Sequence, residues 1–178
     1  MGDLLSRLWA CFDSSEPLFS AREVASWPDG QAQWLQERGV LCATTSASRV
    51  GCSCCPSGHV EDVLEVPDAD PPRFFIACPE SVTVEVDPEA LRQWTIDGDA
   101  VASLIAAALG LQGRPTPIES GRVWRLGTTR WQQTSREVLL ARGLGAEDAA
   151  RIAAHAGQAG RPIVLVSGQE PPSHIWPG

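Results

Sequence analysis

Between Cys52 and Cys78 the chain places four cysteines and one histidine: Cys52, Cys54, Cys55, His59 and Cys78. Cys52 and Cys55 form a C-x2-C pair, His59 follows four residues later, and Cys78 opens a second turn, Cys78-Pro79-Glu80. Two thiolates on one tight turn, with further ligands delivered across a hairpin, make a tetrahedral zinc site. The expected ligand set is Cys52, Cys55, His59 and Cys78, with Cys54 and Cys42 as alternates. Four protein ligands close the coordination shell, so the expected Zn2+ is structural rather than catalytic. The competing readings make these cysteines small buried apolar residues, a disulfide pair or a reactive thiol. The density of thiols in a turn-rich stretch weighs against the first, and in a reducing compartment clustered thiols serve as ligands more often than as disulfides. Cys11 and its neighbours read as the buried face of a helix.

What the chain lacks narrows its chemistry. All 14 basic residues are Arg, and Lys, Asn and Tyr are missing, a skew suggestive of a GC-rich bacterial genome. Without Lys there is no Schiff-base chemistry and no Walker-type phosphate loop. The net charge of −8 is unevenly spread. Residues 1–45 carry three Arg against six acids, residues 46–97 three against ten, and residues 98–178 eight against six. The cysteine-bearing middle is thus a poor electrostatic match for nucleic acid, and the C-terminal part a better one. No apolar run approaches the roughly 18 residues of a membrane span. Met1-Gly2-Asp3-Leu4-Leu5 lacks the basic flank and apolar core of a secretory signal. A cytoplasmic location without membrane association is expected.

The periodicities predict an α+β chain in four parts. Residues 1–47 read as a helical unit. Leu4, Leu5, Leu8, Trp9 and Phe12 share one face of a first helix. Ser20-Ala21-Arg22-Glu23 is a capping box opening a second helix that runs to about Trp27. A third helix, Gln31 to Arg38, ends at Gly39, and Val40 to Cys42 reads as a strand. Residues 48–97 read as hairpins: a strand over 60–66, a returning strand over 73–77, and the alternating Val82, Val84 and Val86. A helix opened by Asp87-Pro88-Glu89 is expected to run to about Trp94. Residues 98–168 read as an α/β domain. It comprises a helix capped by Asp99, a linker over 113–120, strands over 122–126, 130–133 and 136–141, a helix over 146–156 and a strand over 162–166. Residues 169–178 read as a tail.

Three resemblances follow from these residues. The region of about 48–87 resembles a zinc ribbon, which normally presents two C-x2-C turns. The second turn departs from that pattern, with Ser81 where the fourth cysteine belongs. The opening helices followed by a strand resemble a winged-helix unit, whose third helix would offer Gln31, Gln33, Gln36 and Arg38 to DNA; with one positive charge among them, a packing or dimerising role competes. The order α-β-β-β-α-β in the C-terminal part resembles restriction-endonuclease-like domains. Those domains imply an acid on the second strand and an acid-x-Lys on the third. Here the third strand offers only Glu137-Val138-Leu139, so the catalytic motif is missing, and a generic α/β sandwich is the competing reading.

These readings converge on a non-enzymatic, zinc-binding recognition protein, a regulator or adaptor in a nucleic-acid-related system. Arg122, Arg125 and Arg130, interleaved with Trp124 and Trp131, are the candidate nucleic-acid residues: Arg meets phosphates and Trp stacks on exposed bases. The competing reading puts the tryptophans in the core. A protein partner or a homodimer is expected, and no small-molecule substrate. The rival functions are a divergent nuclease-like protein completed by a partner, and a protein–protein assembly module.

Overall fold

The computed structural model describes residues 2–56, 58–67, 70–144, 149–157 and 161–168. The expected tail and the first residues of the helix expected from Ala146 lie outside them. Among the described residues the architecture is α+β, with five α-helices and four sheets. No helix there is long and apolar enough to cross a membrane. The chain forms two compact units. One contains residues 1–17, 35–40 and 96–178, the other residues 18–34 and 41–95.

The chain opens with α1 (Gly2–Asp13), matching the expected first helix and belonging to the first unit. The second unit begins with β1 (Leu18–Ser20), a strand too short to show a periodicity, and α2 (Ala21–Ala25). Both halves of the capping box form: the Glu23 N–H donates to Ser20 Oγ at 3.3 Å, and the Ser20 N–H donates to Glu23 Oε2 at 2.9 Å. Next comes α3 (Gln31–Glu37), whose exit is set by Gly39 at φ +68°, its N–H donating to the Gln36 carbonyl. β2 (Leu41–Ala43) follows. The hairpin strands are β3 (Arg49–Gly51), β4 (Val60–Asp62), β5 (Leu64–Val66), β6 (Arg73–Cys78) and β7 (Val82–Val86).

The strand expected over 60–66 is two strands. The Val63 N–H donates to the Ser48 carbonyl at 2.8 Å, and the flanking segments pair with different partners, β4 with β3 and β5 with β6. The helix expected after Asp87 is a single 3-10 turn, Pro88–Leu91. Its Asp87 cap forms, the Glu89 N–H donating to Asp87 Oδ1 at 2.9 Å. The chain then extends into β8 (Gln93–Ile96), which buries Trp94 and Ile96 in alternation and lies between β1 and β2 in a three-stranded sheet. Period-2 burial and sheet pairing outweigh the local helix-start signal.

The first unit resumes with α4 (Gly98–Ala108). Its N-cap is Asp97, which accepts the Ala100 N–H at 2.9 Å; the expected cap, Asp99, instead accepts the Trp124 Nε1–H at 2.6 Å. Then come β9 (Thr116–Glu119), β10 (Val123–Trp131), β11 (Thr134–Ala141), α5 (Ala149–Gly157) and β12 (Ile163–Val166). The sheet order is β12-β11-β10-β9, antiparallel except for the parallel β11–β12 pair. The element order α-β-β-β-α-β is therefore present, though with different strands from those expected. The expected linker holds β9. The expected break at Gly127-Thr128-Thr129 lies within one long strand, which bulges between Arg125 and Gly127. Gly127 sits there at φ +145°, and a Cβ on it would stand 2.5 Å from the Gln112 carbonyl oxygen. The true turn is Gln132-Gln133, both at positive φ, the backbone of a two-residue hairpin loop. Asp13 at the end of α1 joins this unit through Oδ1, which accepts the Gly143 N–H and the Ser167 hydroxyl, each at 2.7 Å.

Candidate metal centre

Two hairpin ends of the second unit build the cysteine cluster. The β3–β4 ladder carries one step beyond its last pair, the Cys52 N–H donating to the His59 carbonyl at 2.7 Å. That bond closes a loop holding Cys52, Cys54 and Cys55. Gly58, at φ +57°, takes the left-handed conformation that returns the chain, its N–H donating to the Cys55 carbonyl at 3.2 Å. The other hairpin contributes Cys78, the last residue of β6, paired with Val82. Its turn is tight: the Thr83 N–H donates to the Ser81 carbonyl across Val82, which lies at φ +63°. Beneath the thiols sit Ile76, Val86 and Leu91, with Val50, Val63, Phe74 and Val84 packed around them.

The four sulfurs of Cys52, Cys54, Cys55 and Cys78 lie within 4.8 Å of one another. The Sγ–Sγ separation is 3.1 Å for Cys52–Cys54 and 3.5 Å for Cys54–Cys78. A zinc–sulfur bond of about 2.3 Å in a tetrahedron sets sulfurs roughly 3.8 Å apart, so these two separations would widen by roughly 0.3–0.7 Å around an ion. None of the six cysteines is in a disulfide, so no S–S bond competes for these sulfurs. Cys52, Cys55 and Cys78 are buried and Cys54 is exposed. The cluster is thus a candidate centre for one metal ion.

Hydrogen bonds prepare the thiols for different roles. Burial works to raise the Cys78 thiol. The backbone N–H groups of Ser81 and Glu80, with the thiols of Cys54 and Cys52, outweigh it and hold the group down at about 6. The Ser81 N–H stands 3.4 Å from the Cys78 sulfur. Cys52 is pushed up, first by its hydrogen bond with Cys54 and also by burial. One thiol of the set is therefore held ready as thiolate, the form that binds metal.

The expected ligands occupy these places: Cys52, Cys55 and Cys78 meet, and His59 stands beside them with Nδ1 3.0 Å from Cys55 Sγ. On its far side, His59 Nε2 is 3.8 Å from Glu61 Oε1. Cys54 completes the four-sulfur group, while Cys42 lies on β2 and Cys11 on α1. Ser81, in the place of a ribbon's fourth cysteine, lies at the cluster with its hydroxyl 3.5 Å from Cys54 Sγ. Its spacing from Cys78 was the signal for that position, and the Cys-Ser-Cys-Cys run was the signal for Cys54.

The arginines and tryptophans after Gly113 separate into two kinds. Trp124 is 1% exposed and stacks on Phe12 with ring centroids 5.9 Å apart, so it presents no face to a base. Arg122 donates to the Arg142 and Gly143 carbonyls at 3.2 and 2.9 Å, and Arg125 pairs with Glu137 at 3.0 Å. Glu137, the acid of the nuclease-like reading, is engaged by that pair. Arg130 and Trp131 are exposed, Trp131 by 55%, beside the Gln132-Gln133 turn. No protein-family model, curated protein or solved structure matches this chain. Its own geometry defines it as an α+β protein with a candidate four-thiol metal centre.

Proposed function

We propose that Cys52, Cys54, Cys55 and Cys78 bind one structural zinc ion, and that the chain is a non-enzymatic recognition protein acting in a nucleic-acid-related system. The observation that carries the zinc reading is the convergence of four thiols, none in a disulfide, from two hairpin ends over a small apolar core. An all-sulfur set of this spacing suits a soft, tetrahedral d10 ion. The ion pins the loop after β3 to the end of β6, two segments that share few fully buried aliphatic residues. His59 supports the Cys55 sulfur from outside the ligand set, as hydrogen-bond partners of metal-bound thiolates do. Four protein ligands leave no position for a substrate, so the ion's work is to hold a shape.

The recognition limb draws support from the β10–β11 turn, where Arg130, Trp131, Gln132 and Gln133 offer a cation, an aromatic face and amides together. Such a tip suits an unpaired base and its phosphate better than a duplex groove. The test has two arms. Elemental analysis of the purified chain should find one zinc per chain; well under one removes the metal reading. Titration with a fluorescent single-stranded oligonucleotide should show salt-weakened binding that Trp131→Ala and Arg130→Ala each diminish. No binding at low salt removes the nucleic-acid limb and favours the assembly reading.

A further inference from the structure

The four sulfurs are not equivalent. Three are buried, and Cys54 alone is exposed, at 3.1 Å from Cys52 Sγ. A solvent-accessible thiol poised beside a second one is the arrangement that reacts with peroxides and resolves to a disulfide. We propose that Cys54 is an oxidation site through which hydroperoxides discharge the metal centre, by forming a Cys52–Cys54 disulfide. The inference rests on the zinc reading above and adds its regulation.

The chemistry balances with a hydroperoxide as the oxidant. The Cys54 thiolate attacks the peroxide, the O–O bond breaks, and the products are a Cys54 sulfenic acid and an alkoxide, or hydroxide from hydrogen peroxide. The Cys52 thiolate then attacks the sulfenic sulfur, forming the S–S bond and expelling hydroxide. Two protons from solvent convert the two anions to alcohol and water, or to two waters. Two thiolates are oxidised and one peroxide is reduced. The ion then keeps only Cys55 and Cys78 of its four thiolates and leaves.

Two features of the site favour Cys52 as the resolving partner. Its sulfur is closer to Cys54 than that of Cys78, 3.1 against 3.5 Å. Both residues also lie in one short loop, so the bond forms without moving the second hairpin. A disulfide across so small a ring is strained and hence easily reduced, which makes the change reversible. The outcome is a centre that holds the two hairpin ends together under reducing conditions and releases them under oxidising ones.

The experiment uses the full chain. Zinc content is measured first; a chain without zinc overturns the metal reading, and this inference falls with it. Zinc-loaded protein is then treated with hydrogen peroxide, released zinc is followed with a chromogenic chelator, and disulfides are mapped by mass spectrometry after alkylation. The expected result is zinc release in step with one Cys52–Cys54 bond per chain, with metal binding restored by a thiol reductant. Zinc that stays bound, or leaves with a bond elsewhere or with Cys54 taken irreversibly to the sulfinic acid, overturns the inference and leaves the zinc reading standing. A Cys54→Ser chain that keeps zinc should release it about tenfold more slowly, because the exposed nucleophile is gone; release at the wild-type rate overturns the inference. If Cys54→Ser does not hold zinc, the wild-type disulfide map decides alone.

Discussion

Replacing Gly98 by alanine sets helix propensity against packing. Gly98 is the first residue of α4, and a glycine-to-alanine change in a helix favours the folded state by up to about 1 kcal/mol. The structure gives the opposite sign. A Cβ on Gly98 would stand 2.7 Å from Trp124 Cη2 and 3.3 Å from Cε2, with Cζ2 closer still. The ring has nowhere to go. It is 1% exposed, its Nε1 donates to Asp99 Oδ1 at 2.6 Å, and it stacks on Phe12 at an interplanar angle of 29°. Restoring an ordinary carbon–carbon contact of about 3.5 Å requires a shift of roughly 1 Å by the ring or the helix start. Overpacking of this kind costs ~1–3 kcal/mol, and stretching the Trp124–Asp99 hydrogen bond adds to it. After deducting the propensity gain, Gly98→Ala is expected to destabilise the chain by about 1–2 kcal/mol. Urea denaturation followed by far-ultraviolet circular dichroism measures this directly. In a Trp124→Phe background the same substitution should cost much less, because the six-membered ring of the indole makes the clash. A Gly98→Ala protein as stable as the wild type refutes the reasoning.

Two further predictions concern the hairpin that carries Cys78. Val82 is a β-branched residue at φ +63° with 81% of its surface exposed, so Val82→Gly relieves backbone strain and forfeits little burial. Set against glycine's entropy cost, the net gain is up to about 1 kcal/mol, read as a higher melting midpoint; a lower midpoint contradicts it. On the same hairpin the Arg73 guanidinium makes two 2.8 Å bonds to Glu85 and holds its carboxyl below the ordinary value of 4.5. A depressed carboxylate pKa stabilises the fold above that ordinary value and loses the contribution as pH falls through the lowered one. Glu85→Gln should therefore narrow the difference in stability between pH 7 and acid pH. The effect is small because both side chains are half-exposed, and it shrinks further in high salt. An unchanged pH profile contradicts it.

Local chemistry determined what local chemistry can. The Ser20–Glu23 capping box, the Gly39 helix exit and the Asp87 cap depend on residues two or three apart, and the sequence carries all of their physics. The thiol cluster was legible for the same reason: cysteines at turn spacing have few other uses in such a stretch. What lay beyond reach depended on partners distant in the chain. Asp99 looked like a helix cap until Trp124 claimed its carboxylate, and Gly127 looked like a turn until the Gln112 carbonyl showed why only glycine fits in that strand. Trp124 and Trp131 are alike in sequence, yet one is core and the other is exposed, because the sheet packs one against α1 and leaves the other at a hairpin tip. At the candidate metal centre, the sequence supplied three thiols in one loop and a fourth across a hairpin. Only the tertiary structure decided that Cys54 joins them from the solvent side and that His59 stands beside Cys55, because sulfur-to-sulfur distance is set by the folding of two hairpins rather than by residue spacing.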